Sequence, residues 1–285
     1  MVRYLVRAGS VAAVLLLAAC ASPLTGKPAA PDPLFGLGDR ETFTVTAESL
    51  ERDFHVLVRL PRSYRESDRD YPMALLLDGG ILFPMLAPFQ LMMEAEGSAD
   101  EVIVVGISYG GLGYSNGNLR GTDYTAPSPE VEYFGGAVAF QDFLADELLP
   151  RLQRDYRIDR SRRVLLGQSL GGQFAIHAAL TRPDLFSTFV AVNPAIHANP
   201  AYFLALEAQR GDPPTRLVMA MGSEDDPRFR ESAEAWIEAR QQSADPGFLL
   251  EVLPLPGAHH ATSAPRAYFE VVRRLAPPAE PGTDP

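Results

Sequence analysis

Apolar and polar positions along this chain alternate between two periods. Met73–Leu77, Val102–Ile107, Arg163–Leu166, Phe189–Val192, Leu217–Met221 and Phe248–Leu253 are short, almost wholly apolar runs. Strands buried on both faces read this way. Between them the pattern changes to helical spacing. Phe140, Phe143, Leu144, Leu148 and Leu152 mark one amphipathic helix over 137–156, with Pro150 expected to bend its last turn. Further helices are predicted over 173–180 and near 200–209, 228–242 and 264–275. The stretch after Leu77 reads as an irregular helix interrupted at Pro84 and Pro88. Two segments, 42–47 and 52–60, precede this series. In the second, Phe54, Val56, Val58 and Leu60 alternate with His55, Leu57 and Arg59, as antiparallel strands at a sheet edge do. Alternating β and α segments predict an α/β fold, a mostly parallel sheet with helices on both faces.

The two ends depart from this pattern. Arg3 and Arg7 precede an apolar run that closes in Leu17-Ala18-Ala19-Cys20, a secretory signal too short to span a bilayer. These last four residues resemble a bacterial lipobox, which implies cleavage before Cys20 and its lipidation. The expected organisation is a signal peptide over 1–19, a lipidated Cys20 with a disordered, proline-rich tether over 20–40, one α/β domain over 41–275, and a disordered tail over 276–285. Acyl chains on Cys20 would hold the protein to a membrane of the bacterial envelope. The formal charge of −11 becomes −13 when cleavage removes Arg3 and Arg7. An acidic chain without basic runs argues against nucleic acid as a partner. With one cysteine there is no internal disulfide.

Three segments match Gly-x-Ser-x-Gly: Gly106–Gly110, Gly113–Gly117 and Gly167–Gly171. Ser108 follows a strand but precedes a glycine-rich loop, 108–127, that cannot start a helix cheaply. Ser115 has neither neighbour. Only Ser169 lies between a predicted strand and a predicted helix, the setting of a nucleophile elbow. There the turn strains the backbone at Ser169, and side chains at Gly167 or Gly171 are expected to collide with the neighbouring strand or helix.

A serine hydroxyl needs a base. Of five histidines, His259 and His260 follow the last strand, where the base of such a fold comes in chain order, and the residues alone leave both open. The acid that orients the base falls in Gly222-Ser-Glu224-Asp225-Asp226. The spacing from Gly222 favours Asp225 over Glu224 and Asp226. One oxyanion N–H is expected from Leu170 and a second from Gly79 or Gly80.

Several motifs together resemble the putative-esterase (esterase D-like) branch of the α/β-hydrolases. They are Tyr71–Gly79, Val104–Tyr109, Arg120-Gly-Thr-Asp123, Gly135–Pro150, Gly167–Gly172 and His260–Pro265. Within that branch the chain is most similar to periplasmic siderophore (enterobactin-type) esterases; mycolyltransferases are more distant. The resemblance implies Ser169 as nucleophile, His260 as base and Gly80 as the second oxyanion donor. It places Arg120 and Asp123 in a loop near the site, either touching substrate or bracing the loop as an ion pair. Asn193 stands where the family often has serine and is a further candidate contact. The expected activity is hydrolysis of a carboxylic ester through an acyl-enzyme, without metal or organic cofactor. Acyl transfer by the same serine, and binding without catalysis, are the rival readings.

Overall fold

A computed structural model describes residues 32–243 and 247–275. The expected signal peptide, Cys20 and the tail after 275 lie outside the described residues. The fold occupies the unit that begins at Leu34. Eight strands form one sheet: β1 (Arg40–Ala47), β2 (Arg52–Arg59), β3 (Tyr71–Leu76), β4 (Ile103–Ser108), β5 (Ile158–Gln168), β6 (Thr188–Val192), β7 (Arg216–Gly222) and β8 (Leu249–Leu255). Their order is β1-β2-β4-β3-β5-β6-β7-β8. β2 runs antiparallel to both its neighbours and all other pairs are parallel. This is the α/β-hydrolase fold. The first strand starts at Arg40, and Phe35–Leu37 before it forms a 3-10 turn with Leu37 packed on the core.

Alternate residues of each strand feed two separate cores, as the period of a strand requires. Met73, Leu75, Ile103, Val105, Phe189 and Leu217 face one layer. That layer holds α3 (Ala137–Phe143), α4 (Leu149–Asp155), α5 (Leu170–Thr181) and α7 (Pro227–Gln241). Ala74, Leu76, Val104, Val190 and Val218 face the other, beneath α1 (Gly79–Glu96) and α8 (His260–Val272). The short helices α2 (Arg120–Asp123) and α6 (Pro200–Ala205) complete the set. Among the described residues no helix is long and apolar enough to cross a membrane.

Two helices differ from expectation. α1 runs unbroken through Pro84 and Pro88. A proline leaves the carbonyl four residues earlier without its donor, here those of Gly80 and Pro84. Gly80 and Pro84 are both exposed, so water can serve those carbonyls. The helix over 137–156 is divided, with a π-helical turn at Leu144–Leu148 between α3 and α4. Pro150 does not bend the last turn. It stands in the first turn of α4, directly after the widened π-helical turn.

Candidate active site

Strand β5 ends at Gln168, and the next residue reverses into α5. Ser169 at this reversal takes φ 59°, ψ −116°, a strained conformation for a residue with a Cβ. Its N–H donates to Val192 O at 2.9 Å, and its carbonyl accepts from Gln173 and Ala195 N–H groups, so neighbouring elements hold the strain in place. Gly167 is obligatory, because a Cβ there would lie 2.1 Å from Gly171 O. Gly171 itself is not: its Cβ would meet Leu77 at 3.5 Å, an ordinary contact, against the collision expected from the sequence. The tight position is Gly172, where a Cβ would lie 3.0 Å from Pro194 Cα and from Val192 O.

Ser169 and His260 line one cavity of about 520 Å³, together with Asp78, Ile81, Leu82, Met85, Leu112, Asn118, Arg120, Gln168 and Ala261. A smaller recess of about 190 Å³ adjoins it across Asp78, Ile81, Leu112 and Asn118 and is lined also by Gly80 and Ser108. His260 opens α8, four residues before the helix expected from the sequence, so its main chain is held by a helix and its ring faces the cavity. Its Nδ1 lies 2.9 and 3.1 Å from the two carboxylate oxygens of Asp225. The Asp225 side chain is 2 % exposed and that of His260 37 % exposed. The Asp226 N–H also donates to Asp225 Oδ1 at 2.8 Å.

The neighbours left open by the sequence are placed elsewhere. The His259 Nδ1 sits 3.1 Å from Glu224 O, and the residue caps α8. Asp226 caps α7, accepting from Arg228 N–H at 2.9 Å, and Glu224 is exposed. His177 is buried on α5 against Tyr202, and burial pulls its pKa down to about 4.

Helix N-termini leave N–H groups without intrahelical acceptors. Leu170 is the first residue of α5, and Gly79 and Gly80 are the first two of α1. Gly79 is buried, its Cα pressed against the β4 backbone so that a Cβ would lie 2.5 Å from Gly106. Gly80 is exposed and lines the recess.

Arg120 and Asp123 do not pair with each other. Arg120 lines the cavity and grips Asp78, Nε to Oδ1 at 2.6 Å and Nη2 to Oδ2 at 2.8 Å. Burial works against the guanidinium's charge, but the Asp78 hydrogen bonds and charge outweigh it and raise the Arg120 pKa. Asp123 is buried and accepts from Arg52 Nη1 at 2.7 Å and from the Tyr109 hydroxyl at 2.9 Å. Burial raises its carboxyl pKa although both donors oppose the shift. It braces the loop and does not reach the cavity. Asn193 is 3 % exposed and is likewise not among the residues that line the cavity. Its Oδ1 accepts from Gly222 N–H at 2.8 Å, which ties the end of β6 to the turn that carries Asp225.

Three contributors had no role assigned from the sequence. Gln168 Nε2 donates to the His260 carbonyl, joining the serine's strand to the histidine's helix. The Phe229 ring packs 4.7 Å from the His260 ring and 4.5 Å from that of His197. Asp78 holds Arg120 from a left-handed backbone position, φ 52°. Only its place at a strand end, before Gly79-Gly80, marks Asp78 in the sequence.

The chain is 25 % identical over 275 residues to a ferri-bacillibactin esterase, BesA, of Bacillus subtilis, covering 87 % of this chain and 93 % of that one. Among solved structures it resembles an IroE-like serine hydrolase from Shewanella oneidensis, with TM-score 0.70, 22 % identity, and 82 % and 79 % of the two chains covered. It also resembles the siderophore hydrolase EstB from Aspergillus nidulans, with TM-score 0.68, 24 % identity, and 87 % and 96 % covered. Residues 47–254 match the Esterase family model, described as putative esterase. By that match over most of its length the chain belongs to this esterase family and is an ester hydrolase.

Proposed function

We propose that the protein cleaves a carboxylic ester through an acyl-enzyme on Ser169, with His260 as general base and Asp225 orienting it. The observation that carries this is the shared cavity: Ser169 and His260 both line it, and a buried carboxylate holds the imidazole by Nδ1. That bond fixes the tautomer with its proton on Nδ1 and leaves Nε2 free to accept. Nε2 takes the Ser169 proton as the hydroxyl oxygen attacks the ester carbonyl. Leu170 and Gly80 N–H groups steady the oxyanion, Gly80 being preferred to Gly79 because only Gly80 opens on the recess. The intermediate collapses, His260 protonates the departing alcohol, and a water activated by His260 then releases the acid.

The relatives' names point to a siderophore-type ester as substrate. The lipobox-like Leu17–Cys20 supports a mature protein anchored at Cys20 and held in the bacterial envelope. A fluorophosphonate probe tests the nucleophile: it should label the wild type at Ser169 and leave Ser169→Ala unlabelled. Labelling of Ser169→Ala, or none of the wild type, overturns the assignment. Radiolabelled palmitate should enter the wild-type protein in a bacterial host and not Cys20→Ala; equal incorporation would refute the anchor.

A further inference from the structure

The charges that line the cavity decide which esters can enter it. We propose that this site selects an uncharged, largely apolar ester and rejects an anionic one. The proposal rests on the esterase reading above and specifies its substrate class.

Arg120 is the one arginine or lysine among the described lining residues, and it is already spent on Asp78. Both carboxylate oxygens are engaged, at 2.6 and 2.8 Å, in the bidentate form that is strongest for such pairs. An anion approaching Arg120 comes about as close to Asp78, so attraction and repulsion nearly cancel. The pair is held firmly from below. The Asp78 N–H donates to the Tyr124 hydroxyl at 3.3 Å, and Tyr124 is buried among Tyr109, Phe140 and Phe174. The nearby Arg52 is bound to Asp123 and does not line the cavity. Tyr109, which lines the recess, keeps its phenol neutral because burial raises its pKa, and the other ionisable group is His260, whose partner is a carboxylate. Asp225 adds a buried carboxylate behind that imidazole, inside a chain that is itself strongly acidic.

The rest of the lining is apolar. Ile81, Leu82 and Met85 on α1, Leu112 on the glycine-rich loop and Ala261 on α8 supply it. Ile81 and Met85 are exposed, and Leu112 is 81 % exposed, so apolar surface gathers where a substrate would enter. A polyanionic iron complex meets no unpaired cation here. A neutral lactone or other uncharged ester meets apolar walls.

Two esters of equal length separate the possibilities: p-nitrophenyl hexanoate, which is neutral, and mono-p-nitrophenyl adipate, which carries a carboxylate at the far end. At low salt the wild type should show kcat/KM about 30-fold or more in favour of hexanoate. Sodium chloride should raise adipate turnover and leave hexanoate unchanged. Asp78→Asn, an isostere that tolerates the left-handed backbone, unmasks Arg120 and should narrow the preference by about tenfold. If that variant does not fold, Leu112→Lys carries the same test from an exposed position and should narrow it about fivefold. Turnover of the two esters within about threefold, salt that slows adipate, or a preference unmoved by both variants would overturn the proposal while leaving the esterase reading intact. Turnover of neither ester would remove the esterase reading, and the proposal with it.

Discussion

Ser108 and Ser169 sit in the same five-residue pattern at the ends of strands in one sheet, and they are differently built. Ser108 closes β4 and is followed by a loop whose Gly110 takes φ 79° and donates its N–H to Ser108 Oγ at 3.1 Å. Its hydroxyl is occupied by its own turn. Ser169 is forced into positive φ at the head of a helix, and its backbone is tied to β6. The buried acid, the imidazole and an N–H at a helix start converge only there. The pattern supplies small residues around a hydroxyl; the helix that follows and the strain at the turn supply the chemical setting.

The comparison is tested most strongly at the hydroxyls. Ser169→Ala should lower kcat on p-nitrophenyl butyrate by about 10⁴–10⁶ with the fold intact by circular dichroism. A near wild-type rate would end the distinction between the two serines. Next comes Asp225→Asn, which should cost about 10²–10⁴ in kcat by leaving the imidazole in the wrong tautomer. A loss below tenfold would show that His260 is oriented without its carboxylate. Gly167→Ala should lower stability by about 3 kcal/mol or more, read from the urea midpoint, because its Cβ would fall 2.1 Å from a backbone oxygen. Ser108→Ala should lower kcat/KM by less than about tenfold, and a larger loss would make Ser108 part of the chemistry. The smallest effect belongs to Gly113→Ala in the third matching segment. Its φ is −111° and the nearest atoms to a Cβ lie at 3.6 Å, so stability should stay within about 0.5 kcal/mol.

Much of this architecture was legible because buried parallel strands are written as apolar runs, and all six such runs became strands. The turn at Ser169 was legible for a similar reason: its neighbours on both sides are local in sequence. What failed was non-local. Gly171 and Gly172 cannot be distinguished until Pro194 and Val192 are placed beside them. Asn193 sits at a strand end like a site residue, yet its amide is turned toward Gly222. Arg120 and Asp123 stand three residues apart and pair with Asp78 and Arg52, partners 42 and 71 residues away. The continuity of α1 depended on which side of the helix its two prolines fall, which only packing decides.

The groups that line the entrance and the groups placed to break the ester come from different stretches of chain. Asp78, Ile81, Leu82, Met85, Leu112, Asn118 and Arg120 all precede β5, whereas Gln168, Ser169, Asp225 and His260 all follow its start. Gly80, proposed as an oxyanion donor, and Ala261, which lines the same cavity from α8, cross that division. The exposed part of the vestibule is therefore modular: the side chains of Ile81, Met85 and Leu112 could be exchanged without moving Ser169, Asp225 or His260. One scaffold could in this way change its cargo while keeping its reaction.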